Sequence, residues 1–211
     1  MTYLELVNNV LTRLREPMIA SVDKSQDAVV NIVKNLANDA KRHVEMAHSW
    51  NATRMVWEMT SEKGRPSYIL ESTSGGCRVS KVSVNGNHIH QWDLQTLLHE
   101  TNNTGTPHRY AFDGTDNEGN VSIRLDPMPE GGEVICVLGH RVLPDLKTDD
   151  DEVRLPSQPV LYYALALAAR ERGEVGGQTA QELFSMASQF ISDAIALDAN
   201  LSPTEKIWAV V

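Results

Sequence analysis

Residues Asp23 to Ser49, DKSQDAVVNIVKNLANDAKRHVEMAHS, decide how the rest of the chain is read. Val29, Val33, Leu36, Ala40, Val44 and Ala47 recur in steps of three and four, which lays them on one stripe of an α-helix. Lys34, Asn35, Asn38, Asp39, Lys41, Arg42 and Glu45 fall between them and suit the wet side. Asp23 is placed as N-cap, and Gln26, three residues on, completes a capping-box-like start. Neither Pro nor Gly interrupts the run. About 25 residues give a helix roughly 37 Å long, more than most globular helices. Burying half a dozen such side chains contributes on the order of 10 kcal/mol gross, less than ordering the backbone costs. The helix therefore needs partners elsewhere in the chain.

Upstream, residues 3–16 form a shorter amphipathic helix with Leu4, Val7, Leu11 and Leu14 on one face, widened by Leu6 and Val10. Pro17 stops it, and the link to Val22 returns the chain antiparallel as an αα-hairpin. Downstream, helical spacing resumes over 157–174, through Leu161, Leu165 and Ala168, broadened by Tyr162, Tyr163 and Leu167. After Gly176-Gly177 a last stripe runs over 179–198 through Leu183, Met186, Ala187, Phe190, Ala194 and Leu197, with Thr179 and Glu182 at capping-box spacing.

Between these halves the period falls to about two, with frequent turn residues. Met55-Trp57-Met59, Tyr68–Leu70, Val79–Val84, Asn87–Trp92, Arg109–Phe112, Asn120–Leu125 and Glu133–Val142 read as short strands. Asn85-Gly86 is the strongest hairpin signal, because a type I′ turn needs positive φ at both central residues. Asp93 to Glu100 reads as one or two helical turns.

The expected fold class is α+β: a four-helix bundle-like domain (helices about 3–16, 23–49, 157–174 and 179–198) with an inserted antiparallel β lobe, a small sheet or barrel. The domains are 1–52 with 153–198, the β insert 53–145, an acidic linker 146–152 built on Asp149-Asp150-Asp151-Glu152, and a C-terminal tail 199–211. Ile207, Trp208, Val210 and Val211 are apolar residues at a chain end, which either fold back on the bundle or dock onto another protein.

The chain carries a net charge of −9, and its sequence shows no Lys/Arg cluster. That argues against sequence-specific DNA binding and is compatible with a surface that DNA slides past. Cys77 and Cys136 are far apart and lack a CxxC partner, the usage of free thiols in a reducing compartment. The opening MTYLEL carries Glu5 and no basic n-region, and the longest apolar run, Val160 to Ala169, is too short to span a bilayer. The expectation is a soluble protein made in the cytoplasm, with no membrane anchor.

Chemistry is sparse. His88 and His90 share one face of a strand, as metal ligands would, but His99, His108 and His140 are the scattered candidates for a third, and a surface or structural role is the simpler reading. The Asp149–Glu152 run lacks the loop spacing and glycine of a calcium site. Gly75-Gly76, Gly131-Gly132 and Gly176-Gly177 are turn punctuation without a phosphate-loop or dinucleotide motif, and there is neither a GxSxG nor a Glu-x-x-His pair. No catalytic residue, metal site or cofactor is assigned, and the expectation is a protein that is not an enzyme.

Val7-Asn8-x-x-Leu11-x-x-Leu14-x-Glu16-Pro17-x-Ile19, the long helix ending at Trp50-Asn51, and then Leu155-Pro156, Tyr162-Tyr163 and Ala168-Ala169-Arg170 resemble the head-to-tail adaptors of short-tailed bacteriophages, the tail tubular protein A family. The resemblance covers roughly 3–51 and 155–198. It implies a virion protein of the phage neck and tail, synthesised in the host cytoplasm. It implies a dodecameric ring of this chain between the portal protein and the tail nozzle protein, with genomic DNA passing through the lumen without sequence-specific binding. It assigns no lumen residues. On this reading Ile207, Trp208, Val210 and Val211 form the portal interface, with Ile207 and Trp208 inserted into a portal groove. The rival of another class is a tail-associated receptor- or carbohydrate-binding module that uses the β lobe. Trp57, Trp92, Tyr68 and Tyr110 would line such a site, although core packing is the simpler reading of each. A hydrolase with an unrecognised site is the third.

Overall fold

Thr2 and Glu5 close a capping box at the start of α1 (Tyr3–Arg13), the first element of the computed structural model, which describes residues 1–72, 76–99, 103–173 and 178–201. Contacts divide the chain into two units, Met1–Ala52 with the chain from Asp145 onward, and Thr53–Pro144. In the first unit α1 buries Leu6, Val7, Val10 and Leu11. It ends earlier than Pro17 requires. Arg15 takes a positive φ of 61°, and the N–H of Glu16 returns to the carbonyl of Leu11 at 2.9 Å, a Schellman-type stop.

The link after α1 is not a tight hairpin turn. Asn8 holds the backbone of Ile19 twice, its amide donating to the Ile19 carbonyl (3.0 Å) and its oxygen accepting from the Ile19 N–H (2.8 Å). The segment therefore doubles back along α1. Then α2 (Ala28–Ala47) begins at Asp27, whose carboxylate accepts from the N–H of Val29 and Val30. Asp27, and not Asp23, is the cap. The buried stripe is also rotated from the expected one: Val30, Val33, Ala37, Ala40 and Val44 face inward, and Lys41, expected on the wet side, is 2% exposed beside Glu45 at 3.4 Å. The helix is apolar on more than one face, so spacing alone allowed either phase. Trp50 seals its end, wholly buried, with its indole N–H on the Val44 carbonyl at 2.7 Å.

The expected four-helix bundle carrying an antiparallel lobe is not what the chain forms: the described residues hold five helices and seven strands. α4 (Ser157–Glu171) is apolar nearly all round and lies centrally, packed by α1, α2 and α5 (Gln178–Asn200). α5 packs chiefly along α4 and fully buries only Ala180 and Ala187 among its described side chains, whereas a bundle would take every stripe into a common core. Thr179, expected to open α5, already lies within the helix.

In the second unit, β1 (Arg54–Thr60), β2 (Ser67–Leu70), β3 (Cys77–Val84), β4 (Asn87–Gln91), β5 (Arg109–Thr115), β6 (Val121–Asp126) and β7 (Val134–Arg141) join in the order β1-β7-β3-β4-β5-β6-β2, a nearly closed, barrel-like sheet. All pairs are antiparallel except β4 with β5, which run parallel. A parallel pair needs a crossover, and residues 92–108, with the short helix α3 (Leu94–His99), supply it. The Asn85-Gly86 turn has φ values of 49° and 79°, as a type I′ hairpin requires. Trp57, Tyr68, Val82, Ile89, Tyr110, Ile123 and Val137 fill the interior. Gly139 lets β3 pass: a Cβ there would stand 2.6 Å from the Arg78 carbonyl and 3.0 Å from the Trp57 ring.

Candidate assembly surface

Both ends of α1 are built from charge. At its start, residues 145–153 form a strap. The N–H of Tyr3 donates to the Asp151 carbonyl (2.8 Å), and that of Leu4 to the Asp149 carbonyl (3.3 Å). The N–H of Val153 returns to Met1 at 3.0 Å, and Thr2 bridges Glu152. The run expected as a solvated linker thus docks on the first helical turn, where unpaired N–H groups need acceptors. The Asp149 carboxylate is held below its ordinary range by the Ser21 hydroxyl and by the Val22 N–H, 2.5 Å away. Asp151 is lowered likewise by the N–H groups of Lys147 and Thr148 and by the Thr148 hydroxyl. Asn38 clamps Leu146 through both backbone groups (2.8 and 3.0 Å), and Arg42 pairs with Asp145. Burial, with Asp145, Asp151 and Asp23 nearby, pushes the Tyr3 hydroxyl up to about 12. It stays a donor, to the Lys34 carbonyl at 3.0 Å.

The far end of α1 is basic. α1 and α4 each end in Arg-x-Arg, Arg13-Leu14-Arg15 and Arg170-Glu171-Arg172. Arg172 joins the two ends, donating to the Leu14 carbonyl at 2.9 Å and pairing with Glu16. Arg13 lies over the Tyr162 ring at 4.7 Å and Arg170 over Phe184 at 5.7 Å. The sequence shows no Lys/Arg cluster; tertiary structure brings Arg172 of one Arg-x-Arg pair onto the chain beside the other, at Leu14 and Glu16. The signal that could have found it was the repeated Arg-x-Arg at the ends of two helices expected to pack.

Apolar side chains also stand in solvent on this unit. Met46 of α2 is 75% exposed, and Leu197 and Leu201, at the end of α5, are 71% and 72% exposed. Ile32 and Met186 are about half covered. Runs of such residues mark surfaces that meet other proteins.

The residues expected to carry the portal contact, Ile207, Trp208, Val210 and Val211, lie outside the described residues. His88 and His90 do share a face, ring centroids 5.1 Å apart, with His88 Nδ1 on the Val82 carbonyl at 2.9 Å. Among the described residues no group of three His, Cys, Asp or Glu side chains could hold a metal. Both cysteines are free thiols, and burial pushes that of Cys77 up. Of the four aromatic residues named for a glycan site, Trp57, Tyr68 and Tyr110 are core. Trp92 alone is open, 45% exposed, with Arg109 stacked at 4.7 Å. No described helix is long and apolar enough to cross a membrane.

The family model for the SU10 adaptor protein matches residues 1–205. The chain belongs to the SU10 adaptor protein family. Among curated proteins none matches it. Membership makes it a phage adaptor, a structural component of the virion that meets other head and tail proteins.

Proposed function

We propose that the adaptor works as a ring of copies joining the portal to the tail nozzle, with genomic DNA passing through its lumen. The narrower kinship with tail tubular protein A, and a count of twelve subunits, belong to the same proposal. The observation that carries it is the incomplete cover of the helical unit. A 23-residue α5 that fully buries only two of its described side chains, beside an α2 with Met46 in solvent, has apolar area left for neighbours. An excess of carboxylates suits a channel that DNA must traverse without sticking, because phosphate binding is driven by Lys and Arg. Ile207, Trp208, Val210 and Val211 supply the portal contact in this reading, as apolar residues on a terminus.

Mass measurement of the full chain, alone and mixed with the phage's portal protein, tests it. The expected result is a ring on the portal, and deletion of residues 203–211 abolishes portal binding while leaving helix content unchanged. A chain that stays monomeric in both settings would sink the ring, and portal binding by the truncated chain would sink the tail contact.

A second reading keeps one observation, the open indole of Trp92, backed by Arg109, which in turn bonds Asp126 at 2.9 Å. That is the kind of rigid aromatic face a sugar ring covers. Glycan binding by the chain, lost on Trp92→Ala, would favour it.

A further inference from the structure

We propose that the arginine end of α1 and α4 in one copy docks on the 145–152 strap of the next; this rests on the ring reading above. The two surfaces belong to one unit and lie at opposite ends of the same helix, α1, whose 11 residues span about 16 Å. One surface carries Arg13, Arg15, Arg170 and Arg172. The other carries Asp145, Asp149, Asp150, Asp151 and Glu152, five carboxylates in eight residues.

Charge complementarity selects a second copy as the occupant. Chains of net charge −9 repel one another, and segregating charges of opposite sign so that they meet face to face offsets that repulsion and fixes the register of the contact. This unit has that segregation. A contact between unlike ends is heterologous: each copy keeps one free end of each kind, so the contact repeats and closes into a ring when the rotation allows.

The individual residues agree. Arg15 is exposed and has no side-chain partner among the described residues, yet it occupies a left-handed position, φ 61°, that glycine fills without strain. The Arg15 guanidinium is thus a charge held out at a helix end. Asp150 and Glu152 are likewise exposed, without side-chain partners among the described residues. Asp149 and Asp151 fix the backbone around them, so little conformational freedom is lost on docking. Within the cluster Glu16 and Glu171 offset part of the positive charge, and on the strap Lys147 and Arg42 offset part of the negative.

The test is sedimentation of the full chain, alone and with the portal protein as template, at 50 and 500 mM NaCl (about a threefold change in screening length). Arg15→Glu, and Asp150→Arg with Glu152→Arg, should each weaken assembly at least about tenfold. All three substitutions in one chain should restore it, and high salt should weaken the unsubstituted chain. As a second readout, Arg15→Lys should be coupled by a carbodiimide to Asp150 or Glu152 of another copy, seen by peptide mass. Assembly that ignores the single reversals, a triple variant no better than its parents, or coupling only within one copy would overturn the interface while leaving the ring standing. If Arg15→Glu weakens retention on duplex DNA and not self-association, the arginine end serves DNA and the proposal is wrong. If the unsubstituted chain assembles in neither setting, the ring reading itself fails, and this interface with it.

Discussion

The β unit and the helical unit solve the same problem differently. In the β unit the inward residues of the strands fill the interior, and the turns are tied by their own polar groups. The Glu133 carboxylate takes the Ser61 hydroxyl and the N–H groups of Glu130 and Gly131 (3.2 and 3.0 Å). Asp116 does the same for Glu118 and Asn120 at the β5–β6 turn. In the helical unit α1 and α4 are covered, while α2 and α5 keep apolar side chains in water and Arg15, Asp150 and Glu152 keep charges without partners among the described residues. The difference lies in how the turns are tied, because exposed apolar side chains occur on both units, Val56, Ile69, Leu98, Val134 and Val142 among them on the β unit.

The largest expected effect that sharpens this contrast comes from Gly139→Ala. A Cβ at 2.6 Å from a backbone carbonyl cannot be absorbed by a flexible side chain, so β3 and β7 must part, at a cost of about 3 kcal/mol or more. Hydrogen exchange should show the amides of β1, β3 and β7 losing protection first; equal loss across α4 would break the distinction between the units.

A middling effect is expected for Glu133→Gln, about 1–3 kcal/mol at neutral pH, from loss of charged hydrogen bonds in a buried turn. The Ser61 hydroxyl, then the surrounding N–H groups, hold this carboxyl below its ordinary value. Its stabilisation is therefore complete above the unfolded value of about 4.3 and is lost as pH falls through the lower folded value. Urea unfolding of both chains at pH 7 and in the acid limb should show the gap closing with acid, and a gap that widened would refute the assignment.

The smallest effect has the most to say about assembly. Arg15→Gly should raise stability by about 0.5–1 kcal/mol, because glycine meets no steric cost at positive φ. The same substitution should weaken self-association. A variant gaining stability and losing assembly would place Arg15 on a surface used by other copies, and one that lost stability would show that the left-handed position costs nothing.

Much of the β unit was legible in the residues. Alternation located all seven strands, and Asn85-Gly86 announced its hairpin, because positive φ at two adjacent positions is a local steric demand. The helices were legible as elements and less so in detail: Asp27 took the cap from Asp23, and α2 buries Val33, Ala40 and Val44 of the expected stripe but Val30, Ala37 and Lys41 in place of Val29, Leu36 and Ala47. The candidate site was scarcely legible. The acidic run was visible, but its role as a strap on α1 was not, since the bonds from Tyr3 and Leu4 reach backbone carbonyls that no side-chain pattern encodes.

What the amino-acid order determined by itself were the elements and their turns, which depend on backbone sterics and periodicity within a few residues. What only the tertiary structure decided were the parallel β4–β5 pairing, the rotation of α2, the central place of α4 and the docking of Arg172 on Leu14, more than 150 residues away. Those depend on which surfaces are removed from water together. That is a property of the packed chain and not of any stretch within it.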